Sequence, residues 1–289
     1  MTYAKNDFMT GEEFALLRDL VHDKFGIIMK GDRRLTLHTR ISHRLRILGI
    51  ATYRDYYNYA VSDTSGEELC VLASHITNNE TYFFREKAQL ELFSGILKDI
   101  KRRRQTRNEK ELRILSLASS SGEEAYSLNI IVQENGLFAW DWDVKIVGMD
   151  LNRNAIAKAR EARYTKSSFR SLNGDTAIVG KYFTVEGDRY ILRRSLTKNV
   201  EFMHGNIIDS GSFAGLETAD AIFCRNVLIY MSDEAIEKVA RNFFHVLSDE
   251  GYLFIGASES LIQKTNLFVP EYNSGVIVYR KNARGISLS

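Results

Sequence analysis

The sequence predicts an α/β fold in which helices flank a parallel sheet, an all-helical region comes first, and a small β-hairpin is inserted. Three observations lead to this prediction. Apolar residues recur at helical spacing through the first third of the 289-residue chain. From Glu111 onward, short apolar runs alternate with helical segments, as in parallel sheets joined by crossover helices. Between about residues 169 and 197 this alternation stops, and two strand-like runs flank the turn Glu186-Gly187-Asp188.

The first helix shows both of its ends in the sequence. Thr10 and Glu13 form the pattern of a capping box ahead of an apolar stripe, and Gly26 is expected to end the helix. Four further helices are predicted at residues 33–48, 53–61, 66–75 and 86–104, the first of them stopped by Gly49. The basic run 101–104 is interpreted as the solvated end of a connector.

The rest of the chain divides into strands and helices of the sheet. Strands are predicted at 113–118, 144–149, 200–204, 219–223 and 251–256, and helices at 125–134, 154–163 and 233–247. The inserted hairpin is predicted to pair 181–185 with 189–193. We therefore predict a helical N-terminal domain at 1–90, a linker helix at 91–110, and an α/β domain at 111–289 that carries the β-insertion at about 169–197.

Composition and charge narrow the class of protein. Apolar residues make up 44% and charged residues 26%, which is typical of a folded soluble protein rather than a disordered one. The formal net charge of +2 gives no reason to expect general binding to nucleic acid. Cys70 and Cys224 stand far apart with no Cys/His cluster, so neither a disulfide framework nor a metal site is indicated. No run approaches the roughly 18 apolar residues of a membrane helix, and we expect a cytoplasmic protein.

Two features fall at the carboxyl ends of predicted strands, where open α/β sheets bind their ligands. The small-residue turn 119–122 would admit a ligand to backbone N–H groups, and Asp150 could accept hydrogen bonds from ribose hydroxyls. The turn lacks the G-x-G-x-x-G of dinucleotide enzymes, and Glu123 and Glu124 at the helix start disfavour a pyrophosphate. These acids suit a cationic ligand with hydroxyls, such as S-adenosylmethionine. The alternative is that they only complement the helix dipole.

Three stretches together resemble the signatures of one protein family. They are Ile-Thr-Asn-Asn-Glu-Thr-Tyr-Phe-Phe-Arg-Glu at 76–86, Ser-Ser-Gly-Glu-Glu-Ala-Tyr-Ser at 120–127 and Ile-Phe-Cys-Arg-Asn-Val-Leu-Ile-Tyr at 222–230. In order and spacing they resemble the chemotaxis receptor methyltransferases, the CheR family, and residues 159–164 and 251–259 extend the likeness over nearly the whole chain. The resemblance implies a helical N-terminal domain, a Rossmann-like S-adenosylmethionine-dependent methyltransferase domain and a small β-subdomain inserted in it.

The resemblance also implies the reaction and the residues that serve it. A receptor glutamate would attack the sulfonium methyl of S-adenosylmethionine, giving a glutamyl methyl ester and S-adenosylhomocysteine, with no metal. Because a glutamate with an ordinary pKa of about 4.3 is already ionised at neutral pH, no general base is needed, and catalysis rests on positioning. The residues expected to bind the cofactor are Asn79, Thr81, Arg85, Glu124, Asp150, Asn206, Ile207, Arg225 and Asn226.

Arg85 and Tyr230 are the expected catalytic residues. An arginine can fork onto a carboxylate, and whether Arg85 holds that of the cofactor or that of the substrate stays open. A structural ion pair with Glu80 or Glu86 is the alternative. Tyr230 is expected near the methyl group, where its hydroxyl would orient the substrate; the alternative is core packing.

Two departures from the family pattern stand out. The family usually carries glycine and proline where this chain has Ala118 and Ala125. The hairpin turn at 186–188 is also short beside members that grip a receptor's C-terminal tether, which puts tether binding in doubt.

The second predicted helix carries a basic ridge. At about 100° per residue, Arg33, Arg40 and Arg44 share one face beside an apolar stripe. With the resemblance, this ridge predicts docking onto the acidic cytoplasmic helical bundle of chemotaxis receptors. The alternative is a solvated face without a partner.

Two other functions compete with receptor methylation. A nucleic-acid methyltransferase is disfavoured because Pro270 is the chain's only proline, so neither an Asn/Asp-Pro-Pro-aromatic motif nor a Pro-Cys nucleophile exists. The second alternative is an S-adenosylmethionine-binding sensor or scaffold without transferase activity. The presence of Arg85, Asp150, Asn226 and Tyr230 argues against such a degenerate enzyme.

Overall fold

The computed structural model describes residues 8–29, 31, 33–77, 80–172 and 176–283. The chain forms two compact units, one of Met1–Asn79 with Tyr230–Ala235 and one of Glu80–Ile229 with Ile236–Ser289. The first is all helical, and the second is an α/β sheet with a small antiparallel sheet, which confirms the predicted fold class. The predicted domain limits at 90 and 110 stay predictions. Within the described chain, no helix combines the length and apolar character needed to cross a bilayer.

The helical unit contains α1 (Gly11–Phe25), α2 (Arg34–Leu48), α3 (Tyr53–Ser62) and α4 (Glu67–Ile76). The predicted capping box is present, since the Thr10 hydroxyl accepts from the Glu13 backbone and the Glu13 side chain accepts in return. Gly26 and Gly49 end α1 and α2 in the left-handed conformation, as predicted. The distant stretch 230–235 joins this unit through the end of α1: Ile28 N–H donates to the Tyr230 carbonyl at 2.7 Å, and Ser232 N–H donates to the Gly26 carbonyl at 2.8 Å.

The α/β unit is built on a seven-stranded sheet of order β6-β2-β1-β7-β8-β10-β9. The strands are β1 (Glu111–Leu117), β2 (Asp143–Asp150), β6 (Val200–His204), β7 (Ala219–Cys224), β8 (Leu247–Ile255), β9 (Phe268–Asn273) and β10 (Val276–Lys281). Strands β6, β2, β1, β7 and β8 run parallel, and the C-terminal pair β9 and β10 is antiparallel. Helices α5 (Lys87–Thr106), α6 (Glu123–Asn135), α7 (Arg153–Glu161) and α10 (Asp233–Val246) complete the alternation.

The insertion forms a three-stranded antiparallel sheet of order β3-β5-β4. Its elements are β3 (Arg163–Tyr164), α8 (Thr176–Tyr182), β4 (Phe183–Glu186), β5 (Arg189–Leu192) and α9 (Arg194–Thr197). The predicted hairpin is confirmed, except that Lys181 and Tyr182 end α8 instead of starting a strand.

The basic run at the end of α5 is solvated at Arg102, but the interpretation of the run as a solvated connector is wrong for Arg104. Arg104 is buried and donates to Asp220, Glu109 and Glu111 at 2.9, 2.6 and 2.7 Å. Arg103 packs over the ring of Tyr252. A buried arginine without partners would carry a large desolvation cost. The three carboxylate partners remove that cost only while α5 stays against the sheet, so Arg104 ties the helix to the sheet.

Candidate active site

The turn between β1 and α6 is a tight backbone bend. Ala118, Ser120 and Gly122 have φ of 57°, 50° and 89°, all in the left-handed region. A Cβ on Gly122 would stand 2.8 Å from Phe202 Cζ and 2.9 Å from Ala159 Cβ. Glycine is therefore required at 122, since it alone fits both the conformation and the space.

Asp150 ends β2 and faces this turn. Its carboxylate accepts hydrogen bonds from Ser120 N–H at 2.7 Å and from Asn152 N–H at 2.8 Å. Burial raises the pKa of this carboxyl above its ordinary value of 3.8. These two hydrogen bonds hold the carboxylate in one orientation. Each carboxylate oxygen keeps a further lone pair, so the group can still accept hydrogen bonds from ribose hydroxyls.

Three charged side chains meet where β7 ends and α6 begins. Arg225 Nε donates to Glu124 Oε2 at 2.6 Å, and Arg225 Nη1 lies 3.7 Å from Glu86 Oε2. Glu124 also accepts from the hydroxyl of Ser116 at 2.7 Å. Two carboxylates share one arginine, which leaves this edge of the sheet acidic.

The segment from Glu80 to Glu86 carries Arg85. Arg85 Nη1 donates to the carbonyl of Glu80 at 2.9 Å, and its guanidinium lies 5.6 Å from the centre of the Tyr82 ring. Among the described residues Arg85 makes no ion pair: Glu80 pairs with Arg170 at 2.7 Å, and Glu86 pairs with Arg225. The structural ion pair considered as the alternative for Arg85 is therefore absent from the described part of the chain.

Aromatic packing fixes the middle of the same segment. The ring of Phe83 is fully buried and stacks on Phe169 at 5.0 Å between ring centres, with Phe183 edge-on at 5.1 Å. Phe83 N–H donates to the carbonyl of Ser168 at 2.8 Å. Phe83 is a core residue, and it attaches the Arg85 segment to the small sheet.

The loop after β7 is organised by a carboxylate for which no role was predicted. Glu259 accepts from the backbone N–H groups of Asn226, Gly256 and Ile229 at 2.8, 2.6 and 3.1 Å. Asn226 is left-handed at φ 61°, and its side-chain amide donates to Glu86 at 3.0 Å. Cys224, the last residue of β7, is buried, and burial raises the pKa of its thiol.

Two parts of the chain match models of the same protein family. Residues 12–77 match the description "CheR methyltransferase, all-alpha domain" and residues 79–274 match "CheR methyltransferase, SAM binding domain". Chemotaxis protein methyltransferase 2 of Vibrio cholerae is 32% identical over 90% of this chain and 89% of its own length. The chemotaxis protein methyltransferases of Borreliella burgdorferi and Escherichia coli K12 are 30% and 29% identical, over 90% and 87% of this chain and 92% and 85% of their own.

This chain belongs to the CheR methyltransferase family. It is therefore a methyltransferase, and its α/β unit carries the family's domain for binding S-adenosylmethionine (SAM). The residues present fit that cofactor on two independent observations. Asp150 is oriented by two backbone N–H groups and suits a ribose diol, and the acids around Arg225 suit a ligand with an ammonium and a sulfonium.

The structure brings several of the expected CheR site residues together. Arg225 donates to Glu124 and to the backbone carbonyl of Arg85, and Glu86 joins Arg225 to Asn226, all in the α/β unit. Thr81 lies in the Arg85 segment, and Asn206 and Ile207 follow β6, whose His204 pairs in register with Asp150. The Asn206 side chain accepts from Ile208 N–H, and the carbonyl of the buried Ile207 accepts from Asn242.

The other expected residues lie elsewhere. Asn79 falls outside the described residues. Tyr230 belongs to the helical unit, where it lines a cleft with Arg33, Thr36, Arg40 and His75.

Two of the three arginines predicted to dock a receptor have partners within the helical unit. Arg44 donates to both carboxylate oxygens of the buried Glu68, at 3.0 and 2.5 Å, and this bonding raises the pKa of the guanidinium. Arg40 Nη1 donates to the carbonyls of His75 and Thr77 at the end of α4. Arg33 is exposed at the N-terminus of α2. The predicted basic ridge thus contains two arginines that also hold the fold.

The sequence reasoning missed the supporting carboxylates Glu86 and Glu259. Both stand inside the stretches that carry the family likeness, and that position was the available signal. Their partners lie far away in the chain: Asn226 is 140 residues from Glu86. Spacing along the sequence therefore could not reveal the pairing.

Proposed function

We propose that this CheR-family enzyme transfers the methyl group of SAM to glutamate side chains of chemotaxis receptors, giving glutamyl methyl esters and S-adenosylhomocysteine (SAH). The observation that carries the proposal is the acidic edge of the sheet, where Glu86 and Glu124 share Arg225 after β7 and backbone N–H groups anchor Asp150 at the end of β2. This arrangement suits a cationic, ribose-bearing methyl donor better than a dinucleotide, whose pyrophosphate the carboxylates would repel.

Each site residue has a proposed task. Asp150 accepts from the ribose hydroxyls, and Glu124 faces the cationic end of the cofactor. Asn79, Thr81, Asn206, Ile207 and Asn226 complete the walls of the pocket. The bound sulfonium supplies an electrophilic methyl group. The chain's own contribution is to hold donor and acceptor in line and to exclude water, which can lower the barrier by about 7–11 kcal/mol in favourable cases.

The substrate glutamate reaches this site already ionised, so the protein has a carboxylate to orient and no proton to remove. Arg85 is the proposed orienting residue, since it makes no ion pair within the described chain and can fork onto a carboxylate of substrate or cofactor. Tyr230 is proposed to orient the substrate through its hydroxyl.

The proposed partner is the cytoplasmic helical bundle of chemotaxis receptors, and the proposed location of the enzyme is the cytoplasm. Arg33, Arg40 and Arg44 on α2 are the proposed docking face. Because Arg40 and Arg44 also hold α4, Arg33 is the member on which docking can be tested cleanly. We propose that no receptor tether is gripped by the short hairpin between β4 and β5.

The decisive measurement is transfer of tritiated methyl groups from SAM to receptor-containing membranes. Release of the label as methanol in base is the expected result, because it identifies an ester. Arg85→Ala should nearly abolish incorporation while the protein stays folded, and Arg102→Ala, an exposed arginine on α5, should leave it unchanged. Near-normal incorporation by Arg85→Ala would refute the role of Arg85.

Binding of SAH, measured by calorimetry, separates the alternatives. SAH binding without methyl incorporation would favour a sensor or scaffold. Label that is stable in base, or that enters nucleic acid instead, would point to another acceptor.

A further inference from the structure

Arg225 is a buried arginine whose donors are directed at other parts of the protein. Only 2% of its side chain is exposed. Its Nε donates to Glu124 Oε2 at 2.6 Å, and its Nη1 donates to the backbone carbonyl of Arg85 at 2.8 Å. The same Nη1 lies 3.7 Å from Glu86 Oε2. One guanidinium at the end of β7 therefore joins the start of α6 to the segment that carries Arg85.

The Arg85 segment needs such support because its backbone is strained. Phe84 and Glu86, on either side of Arg85, both have φ of 57°, a conformation that side-chain-bearing residues rarely adopt. Strained residues of this kind persist only where their surroundings hold them. The Ser127 hydroxyl accepts from Phe84 N–H at 2.9 Å, and Glu86 accepts from the side chain of Asn226. Arg225 holds the peptide between these two points.

We propose that Arg225 is a positioning residue that fixes the orientation of the Arg85 side chain, rather than a ligand of the cofactor. Its rigid fork fixes the Arg85 carbonyl and the Glu124 carboxylate relative to each other, so the Arg85 side chain leaves a fixed backbone toward the reacting groups. A lysine could neutralise one carboxylate, but its single ammonium cannot reproduce the planar fork that spans both acceptors. The inference rests on the proposed function, in which Arg85 acts on the reacting carboxylates.

The test is a double-mutant cycle between Arg225→Lys and Arg85→Ala. Arg225→Lys alone should lower kcat roughly 10- to 100-fold, the loss expected when a reacting group is misplaced by up to an ångström. The Kd for SAH should change by no more than it does in Arg85→Ala, because Arg225 is proposed to make no cofactor contact of its own. In the Arg85→Ala background, Arg225→Lys should lower the residual rate by no more than about 2-fold, because the side chain that it positions is already absent.

Arg104→Lys is the matched control, since Arg104 is also buried and also has carboxylate partners, which include Asp220 in β7. It should lower the melting temperature by a similar amount while kcat stays within about 2-fold of wild type. Rates are divided by the concentration of SAH-binding sites, so that only folded enzyme is counted. Arg225→Ala supplies a second variant: millimolar guanidinium should restore its kcat, and should fail to do so when Arg85 is also alanine.

Several results would overturn the inference. Multiplicative losses in the double variant would mean that Arg225 acts independently of Arg85. A fall in SAH affinity larger than the fall that Arg85→Ala causes would make Arg225 a cofactor ligand. If Arg85→Ala itself turns over normally, the proposed role of Arg85 fails, and that outcome is visible before Arg225 is touched.

Discussion

Ala118 shows how a single residue can oppose the conformation that its neighbours impose. It follows β1 at φ 57°, a conformation that glycine adopts without strain. We expect Ala118→Gly to raise the free energy of unfolding by about 1 kcal/mol, because the left-handed conformation costs an alanine roughly that much. Urea denaturation measures the change. Ala125→Gly, inside α6, is the matched control and should lower stability by about 1 kcal/mol.

Glu123 is a buried carboxylate with a structural role, and it predicts a pH dependence. It is 3% exposed and accepts from the hydroxyls of Ser121 and Ser168 at 2.7 and 3.0 Å. Burial raises the pKa of this carboxyl above its ordinary value of 4.5. Since a raised pKa means that the folded state disfavours the ionised form, the carboxylate lowers stability above its folded-state pKa and has no such effect below 4.5.

Glu123→Gln keeps an acceptor for the serine hydroxyls and removes the buried charge. We expect it to raise the unfolding free energy at about pH 8, with the gain shrinking toward about pH 5 as the wild-type carboxyl takes up its proton. Thermal melts across this range test the sign. A gain that grows as the pH falls would contradict the assignment.

Residue identity predicted the site only in part. The roles of Asp150 and Glu124 were predicted from their positions at element ends and from the family likeness. Hydrogen bonds give both side chains a defined orientation in the structure. The burial of Glu123 could not be read from the sequence, because an acid at a helix start is usually solvated and favoured there by the dipole. What distinguishes Glu123 is Ser168, which lies 45 residues away in the inserted subdomain.

At the scale of elements, local chemistry predicted the helices well. Thr10, Gly26 and Gly49 mark ends that the structure confirms, because caps depend on a few adjacent residues. Strands were harder to predict where pairing with a distant segment decides whether a strand forms. No strand was predicted after residue 256, whereas β9 and β10 form an antiparallel pair at the edge of the sheet. β9 contains Pro270, which is tolerated there because β9 is the edge strand of the sheet.

Helix α2 carries a prediction about docking. Arg33→Glu should lower receptor methylation roughly 3- to 10-fold through charge reversal against an acidic partner. The same change places an acid at a helix N-terminus, where the dipole favours it, so loss of the helix would not explain the result. Arg46→Glu, on the opposite side of α2 and exposed, is the control and should leave methylation near wild type. SAH affinity should be unchanged in both variants. An equal loss of receptor methylation in both variants would contradict docking through this face.

At the scale of the whole molecule, parallel topology explains why distant motifs form one site. The carboxyl ends of β1, β2, β6 and β7 meet at one edge, so residues near 120, 150, 206 and 225 converge although the chain separates them widely. The alternation of strands and helices predicted that edge. The prediction that the Arg85 segment lies at this edge came from the family likeness. The structure gives the physical cause: Ser127, Ser168 and Arg225 supply the hydrogen bonds that the irregular backbone of this segment requires.

A ligand that binds only the folded α/β unit must stabilise it, and this gives a test that does not depend on catalysis. At 100 times its Kd, SAH should raise the unfolding free energy by about 2.7 kcal/mol, and the midpoint should keep rising with ligand concentration. Asp150→Ala should remove most of that shift at the same concentration, because the ribose acceptor is lost while the sheet that carries it remains. Glu123→Gln, whose side chain is bonded to the hydroxyls of Ser121 and Ser168, should retain the full shift. Equal shifts in wild type and Asp150→Ala would place the ribose elsewhere, and the absence of any shift in wild type would remove the cofactor from this edge of the sheet altogether.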